Sequence, residues 1–228
     1  MTENNIDVLF QQAKDGTLLE DFDQWDIANN EGWTVAHEAA MYGRLPEGFN
    51  QWDLSDKNGY TVAHEAVRCG YLPRNFDQWS LANKGGWTVA HSAVMYGRLP
   101  EGFDQWSLTD TIGRTVAHVA AEYNHLPKGF DQWDLSDEHG YSVAHTAAAH
   151  GHLPKNFNWW DLANNHSWTV AHEAAANGNL PEGFDHWDLA TSTGGTVAHE
   201  AAKRGHLPKD FDQWDLIINY YKKLSKIE

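Results

Sequence analysis

Seven histidines recur every 27 residues, at His37, His64, His91, His118, His145, His172 and His199, half of the 14 in the chain. Imidazole at that density invites metal ligation or acid–base chemistry, because its charge changes near neutral pH. Four of the seven stand in His-Glu pairs, at 37–38, 64–65, 172–173 and 199–200. A zinc protease helix would need His-Glu-x-x-His, with a second imidazole one turn on. That position holds Met41, Arg68, Ala176 or Lys203, so the site fails in every copy. The other seven (His125, His139, His150, His152, His166, His186, His206) read as scattered over loop columns. Only His150 and His152 are close enough in sequence to suggest a shared ion. The single cysteine, Cys69, has no activating motif and reads as a packing or surface residue. No phosphate-cradling glycine loop and no serine–histidine–aspartate order is present. The expectation is a protein that is not an enzyme, with no catalytic residue, no metal and no cofactor.

What must position these histidines is a repeat. Phe occurs at 22, 49, 76, 103, 130, 157, 184 and 211, each followed three residues later by Trp, from Trp25 to Trp214, without an insertion. All seven prolines, Pro46 to Pro208, keep the same period. A fixed period means that each unit stacks on the next. The expectation is therefore one all-α domain over residues 1–228, a solenoid of 27-residue helix–turn–short-helix repeats. Residues 22–214 hold seven repeats, 1–21 an N-terminal capping half-repeat and 215–228 a C-terminal capping helix. Within a unit, Thr34 is a natural helix N-cap for Val35 to Tyr42. Gly43 closes that helix in the left-handed region, and Asn124, the single non-glycine of its column, is the next most tolerant residue. Leu45-Pro46 and Gly48 make turns. Phe49 and Trp52, three apart, suit one face of a second short helix or 3₁₀ turn. The Phe and Trp columns read as continuous core, not as a ligand site.

The stretch Gly32-Trp33-Thr34-Val35-Ala36-His37-Glu38-Ala39-Ala40-Met41-Tyr42-Gly43-Arg44-Leu45 resembles the front half of an ankyrin repeat, and the resemblance recurs in seven units. It implies paired antiparallel helices with projecting loops, a His bonded to the Thr at its helix start and to neighbouring backbone, and protein–protein binding without catalysis. The departures are Thr-Val-Ala-His in place of Thr-Pro-Leu-His, a unit of 27 residues instead of 33, and no leucine-rich second helix. The chain is thus identified as a shortened ankyrin-like variant.

Columns that vary within the fixed frame point to binding. Trp33, Tyr60, Trp87, Arg114, Tyr141 and Trp168 form one row, followed by Gly195. By the resemblance they lie on the loop before the first helix and face the concave side. Exposed Trp, Tyr and Arg are the types enriched at interface hot spots. Glu38, Glu65, Glu173 and Glu200 form a second column; Tyr42, Tyr96 and Tyr123 belong to a third, four residues further on and on the same helix side. An aromatic stripe edged by carboxylates suits a protein or peptide partner presenting a basic patch.

A second reading comes from charge. The chain carries 32 acidic and 16 basic residues, net −16, with −18 over residues 1–202 and +2 over 203–228. Acidic rows run through Asp26, Asp53, Asp134, Asp161, Asp188 and Asp215 and through Asp23, Asp77, Asp104, Asp131, Asp185 and Asp212. They keep an aromatic-rich chain dispersed, or they mimic DNA and occupy the groove of a nucleic-acid-binding protein. Direct binding to nucleic acid or anionic lipid is disfavoured by the same charge. No signal sequence or membrane span is visible, and one cysteine fits a reducing compartment, so the expectation is a cytoplasmic monomer, in its own cell or in a host.

Overall fold

The structure, a computed structural model, describes residues 3–224. Among these there are nine helices and no sheet. The chain divides into two compact units, the first ending at Val116 and the second beginning at Ala117. In the first unit α1 (Glu3–Asp15), α2 (Val35–Met41), α3 (Val62–Cys69) and α4 (Val89–Met95) pack in sequence order. The division falls at the start of α5 (Val116–Glu122). In the second unit α6 (Val143–His150), α7 (Val170–Asn177), α8 (Val197–Arg204) and α9 (Trp214–Leu224) do the same. Each unit is a stack of helical repeats.

The helices begin where the threonines place them. Thr34 has extended backbone, and its hydroxyl accepts from the backbone N–H of His37. The arrangement returns at Thr61, Thr88, Ser142, Thr169 and Thr196. Alanine pairs such as Ala39–Ala40 and Ala147–Ala148 are fully buried, so backbones approach closely with little side-chain entropy lost. Asn124 adopts φ 59, as its glycine column requires.

Of the second short helix or 3₁₀ turn expected at Phe49–Trp52, no helix is formed. That segment is a pair of turns, closed by Phe49 N–H to the Pro46 carbonyl and Leu54 N–H to the Gln51 carbonyl. The cause lies in the next helix, whose first N–H groups have no partners of their own. The Leu54 carbonyl accepts from Val62 N–H and the Trp52 carbonyl from Ala63 N–H. Those bonds tie the turn at 51–54 to the start of the next helix, with an isolated bridge from Ser55 to Thr61. The repeat is one helix followed by a turn-rich hairpin.

The aromatic columns form the core as expected, save Trp214, which is 53% exposed. Phe22, Trp25, Phe49, Trp52, Phe76, Trp79, Phe103 and Trp106 touch edge to face in succession, with centroids 5.0 to 5.9 Å apart. Phe130 to Trp214 repeat this in the second unit. Edge-to-face contact is the favoured geometry for such rings. The expected caps are partly seen. Helix α1 closes at Gly16 (φ 72), and α9 occupies the C-terminal side, while the 225–228 end of the expected capping helix lies outside the described residues. No described helix is long and apolar enough to cross a membrane.

Candidate functional site

The site is built on the histidine ladder. His37 is fully buried, and its Nδ1 accepts from the backbone N–H of Thr34 at 3.2 Å. The proton is therefore on Nε2, which donates to the carbonyl of Tyr60 at 3.0 Å, in the next repeat. His64, His91, His145 and His172 make the same pair of bonds, each reaching a carbonyl 23 residues on. His118 reaches Tyr141 at 2.9 Å, and His199 reaches Ile217. Burial pushes His37, His64, His145, His172 and His199 below the ordinary histidine range, and His91 down to about 4. A neutral ring with both nitrogens engaged ties repeat to repeat and offers no free lone pair.

On this ladder lie the aromatic rings of the candidate site. Trp33, Trp87, Tyr141 and Trp168 are half-buried, each tilted over the histidine of its own helix at 4.8 to 5.0 Å. Tyr60 is 43% exposed and meets His64 edge-on. Arg114 is half-buried, and its carbonyl receives His91. The indole N–H groups are fixed from the helix: Trp33 donates to Glu38 at 3.1 Å, Trp87 to Ser92 at 2.9 Å and Trp168 to Glu173 at 2.8 Å. Burial, then the charge of Glu173 and the hydrogen bond the hydroxyl donates to it, raise the Tyr141 hydroxyl far above the usual phenol range. The rows at 33 and 38 are thus brought together by direct bonds.

The four acids are unequal. Glu38 and Glu173 are half-buried and hold indoles. Glu65 and Glu200 are buried, and each is paired within its helix: Glu65 with Arg68, and Glu200 with Arg204 at 2.9 Å and Lys203 at 3.7 Å. Their charge is already met, which the sequence reading missed although Arg68 and Arg204 stand three and four residues away. The third column shares the helix side as expected, since Cys69 donates to Glu65 and Asn177 to Glu173. Its tyrosines nevertheless diverge. Tyr96 (40% exposed) joins Trp33, Tyr60, Glu65 and Trp87 around a depression of about 440 Å³ in the first unit. Tyr42 takes the Lys14 ammonium over its ring at 5.3 Å, and Tyr123 (42% exposed) stacks on His125.

Two further columns escaped the sequence reading. Asn29, Asp56, Asn83, Asp110, Asp137 and Asn164 each accept two backbone N–H groups of their loop and so shape the turn that carries the rings. The histidines read as scattered are only partly so. His152 and His206 share a column with Arg98 and Asn179, and all four donate to the last carbonyls of the preceding helix. His150 and His152 stack at 6.0 Å, but each uses Nδ1 on a carbonyl, and no group of three potential metal ligands occurs among the described residues. Both acidic rows are exposed along their length.

No protein-family model matches the chain, and no curated protein shows significant similarity to it.

Proposed function

We propose that this chain is an ankyrin-like binding protein that engages a protein or peptide with a basic patch through the row Trp33, Tyr60, Trp87, Arg114, Tyr141 and Trp168. The observation that carries the reading is the fixing of three indoles by Glu38, Ser92 and Glu173. Rings held before a partner arrives lose little entropy on binding. The unpaired charge of Glu38 and Glu173 beside them favours a cation at the ring edge. The ankyrin-like assignment rests on the threonine–histidine pairs and on each His reaching the next repeat. No catalytic role follows for histidines that are buried, neutral and doubly bonded.

The test is capture from a nuclease-treated lysate on the immobilised chain, beside the Trp33/Trp87/Trp168→Ala variant. Proteins retained by the wild type and lost by a variant of equal helicity support the reading. Identical captures oppose it.

Mimicry of DNA is the second reading, favoured by the exposure of both aspartate rows. It requires partners that bind nucleic acid and leave as salt rises.

A further inference from the structure

The repeats act as internal controls for one another, because the same groove recurs with different linings. In the first unit a groove of about 690 Å³ runs between the turns that follow α2 and α3. Its lining includes Glu47, Tyr71, Asp77 and Gln78. Three repeats on, a groove of about 810 Å³ occupies the equivalent place in the second unit. There Lys128 stands for Glu47, His152 for Tyr71, Asn158 for Asp77 and Trp159 for Gln78, and Lys155 joins the lining beside Asp131.

The exchanges turn the lining positive, although Arg74, the counterpart of Lys155, adjoins the first groove without lining it. The first copy is lined by two carboxylates and no ammonium, the second by two ammonium groups and one carboxylate. Lys128 and Lys155 are exposed and form no ion pair among the described residues. A positive groove is unusual in a chain of net charge −16. Trp159 is equally out of pattern: its column is Gln at 24, 51, 78, 105, 132 and 213, and its ring is 38% exposed. The fold needs no ring there, since Gln serves in six copies. Pro127 and Pro154 stiffen the walls, and the turn at Gly129 opens on free space.

We propose that this groove docks an acidic segment of a partner protein. Lys128 and Lys155 take its carboxylates, and an aromatic or proline side chain lies on Trp159. The groove uses different columns from the ring row, so the protein can hold a basic and an acidic partner at once.

The probe is a short fluorescein-labelled peptide of Glu and Asp around one Phe, titrated by anisotropy. The expected result is saturable binding that weakens at least ~10-fold in Trp159→Gln and in Lys128→Glu/Lys155→Glu and falls with salt. Trp159→Gln restores the residue of its column, so its helicity should equal that of wild type. Trp33/Trp87/Trp168→Ala should bind the probe as wild type does. Equal affinity in wild type and both groove variants, or no binding of the peptide, overturns the proposal. Dimerisation with rising concentration that Trp159→Gln abolishes, without peptide binding, gives the groove to a second copy of the chain and overturns it as well.

Discussion

Trp168 donates its indole N–H to Glu173 at 2.8 Å while its ring lies 5.0 Å from that of His172, on the same helix. One side chain is thus both a lid over the histidine ladder and a member of the candidate binding row. On the proposed reading, stability and recognition are therefore coupled at Trp33, Trp87 and Trp168.

That coupling sets the cost of removing the rings. Each tryptophan is half-buried, so replacement by Ala should cost about 1–2 kcal/mol, well short of a fully buried ring. Urea unfolding of Trp33/Trp87/Trp168→Ala should shift to lower denaturant with helicity preserved in water. Collapse of the circular-dichroism signal without denaturant would make these rings core and remove them as a free surface.

The ladder predicts an acid-sensitive fold. A histidine neutral in the fold and shifted below 6.5 binds its proton more readily once unfolded. Its contribution is complete above about pH 6.5 and is lost as pH falls towards the folded value, about 4 for His91. Protonated Nδ1 would also face the Thr88 N–H. Each proton taken up on unfolding adds a slope of ~1.4 kcal/mol per pH unit. Unfolding midpoints should therefore drop steeply between pH 6.5 and 4, and a flat profile would contradict the buried neutral ring.

His145→Ala should be among the most damaging single changes. It leaves the Ser142 N–H and the Trp168 carbonyl without their partner, at a cost of ~2–4 kcal/mol. His139→Ala, on an exposed loop, should stay within about 0.5 kcal/mol. Thermal melts of the pair check this directly.

Ser167 gives a change in the opposite direction. It has φ 61 in a column otherwise glycine. At Gly32, Gly59 and Gly86 an added Cβ would come within 2.7–2.9 Å of the next repeat's backbone nitrogen. Those nitrogens, of Lys57, Lys84 and Thr111, bond to the carbonyls of Glu31, Asn58 and Gly85 at 3.0 Å. The equivalent bond from Ser192 to His166 is not formed. Ser167→Gly should stabilise by ~1 kcal/mol, seen as a higher melting temperature, and restore protection of the Ser192 amide in hydrogen exchange.

Much of this architecture was legible in the sequence because glycine, threonine and proline act locally. Thr34, Gly43 and the Asn124 exception each state a backbone conformation without reference to anything distant. The Phe and Trp columns were equally readable, since only a core asks for large rings at a fixed period. The expected second helix or 3₁₀ turn misled because Phe49 and Trp52 have helical spacing, while the Trp52 and Leu54 carbonyls are bound to Ala63 and Val62 of the following segment. The site was legible as a row of rings and less so as a field of charge. Glu65 and Glu200 looked like free acids, and only the rotamers of Arg68, Lys203 and Arg204 show them paired. The positive groove needed the fold, because Lys128 and Trp159 lie 31 residues apart and meet only through stacking.

The measurement that bears most directly on the binding claim is the salt dependence of capture, made with wild type, Trp33/Trp87/Trp168→Ala and Asp134/Asp161/Asp188→Asn. The account predicts partners that survive high salt, are lost by the tryptophan variant and are kept by the aspartate variant. Partners released by salt, indifferent to the tryptophans and lost with the aspartates would contradict it and make the acidic face the working surface.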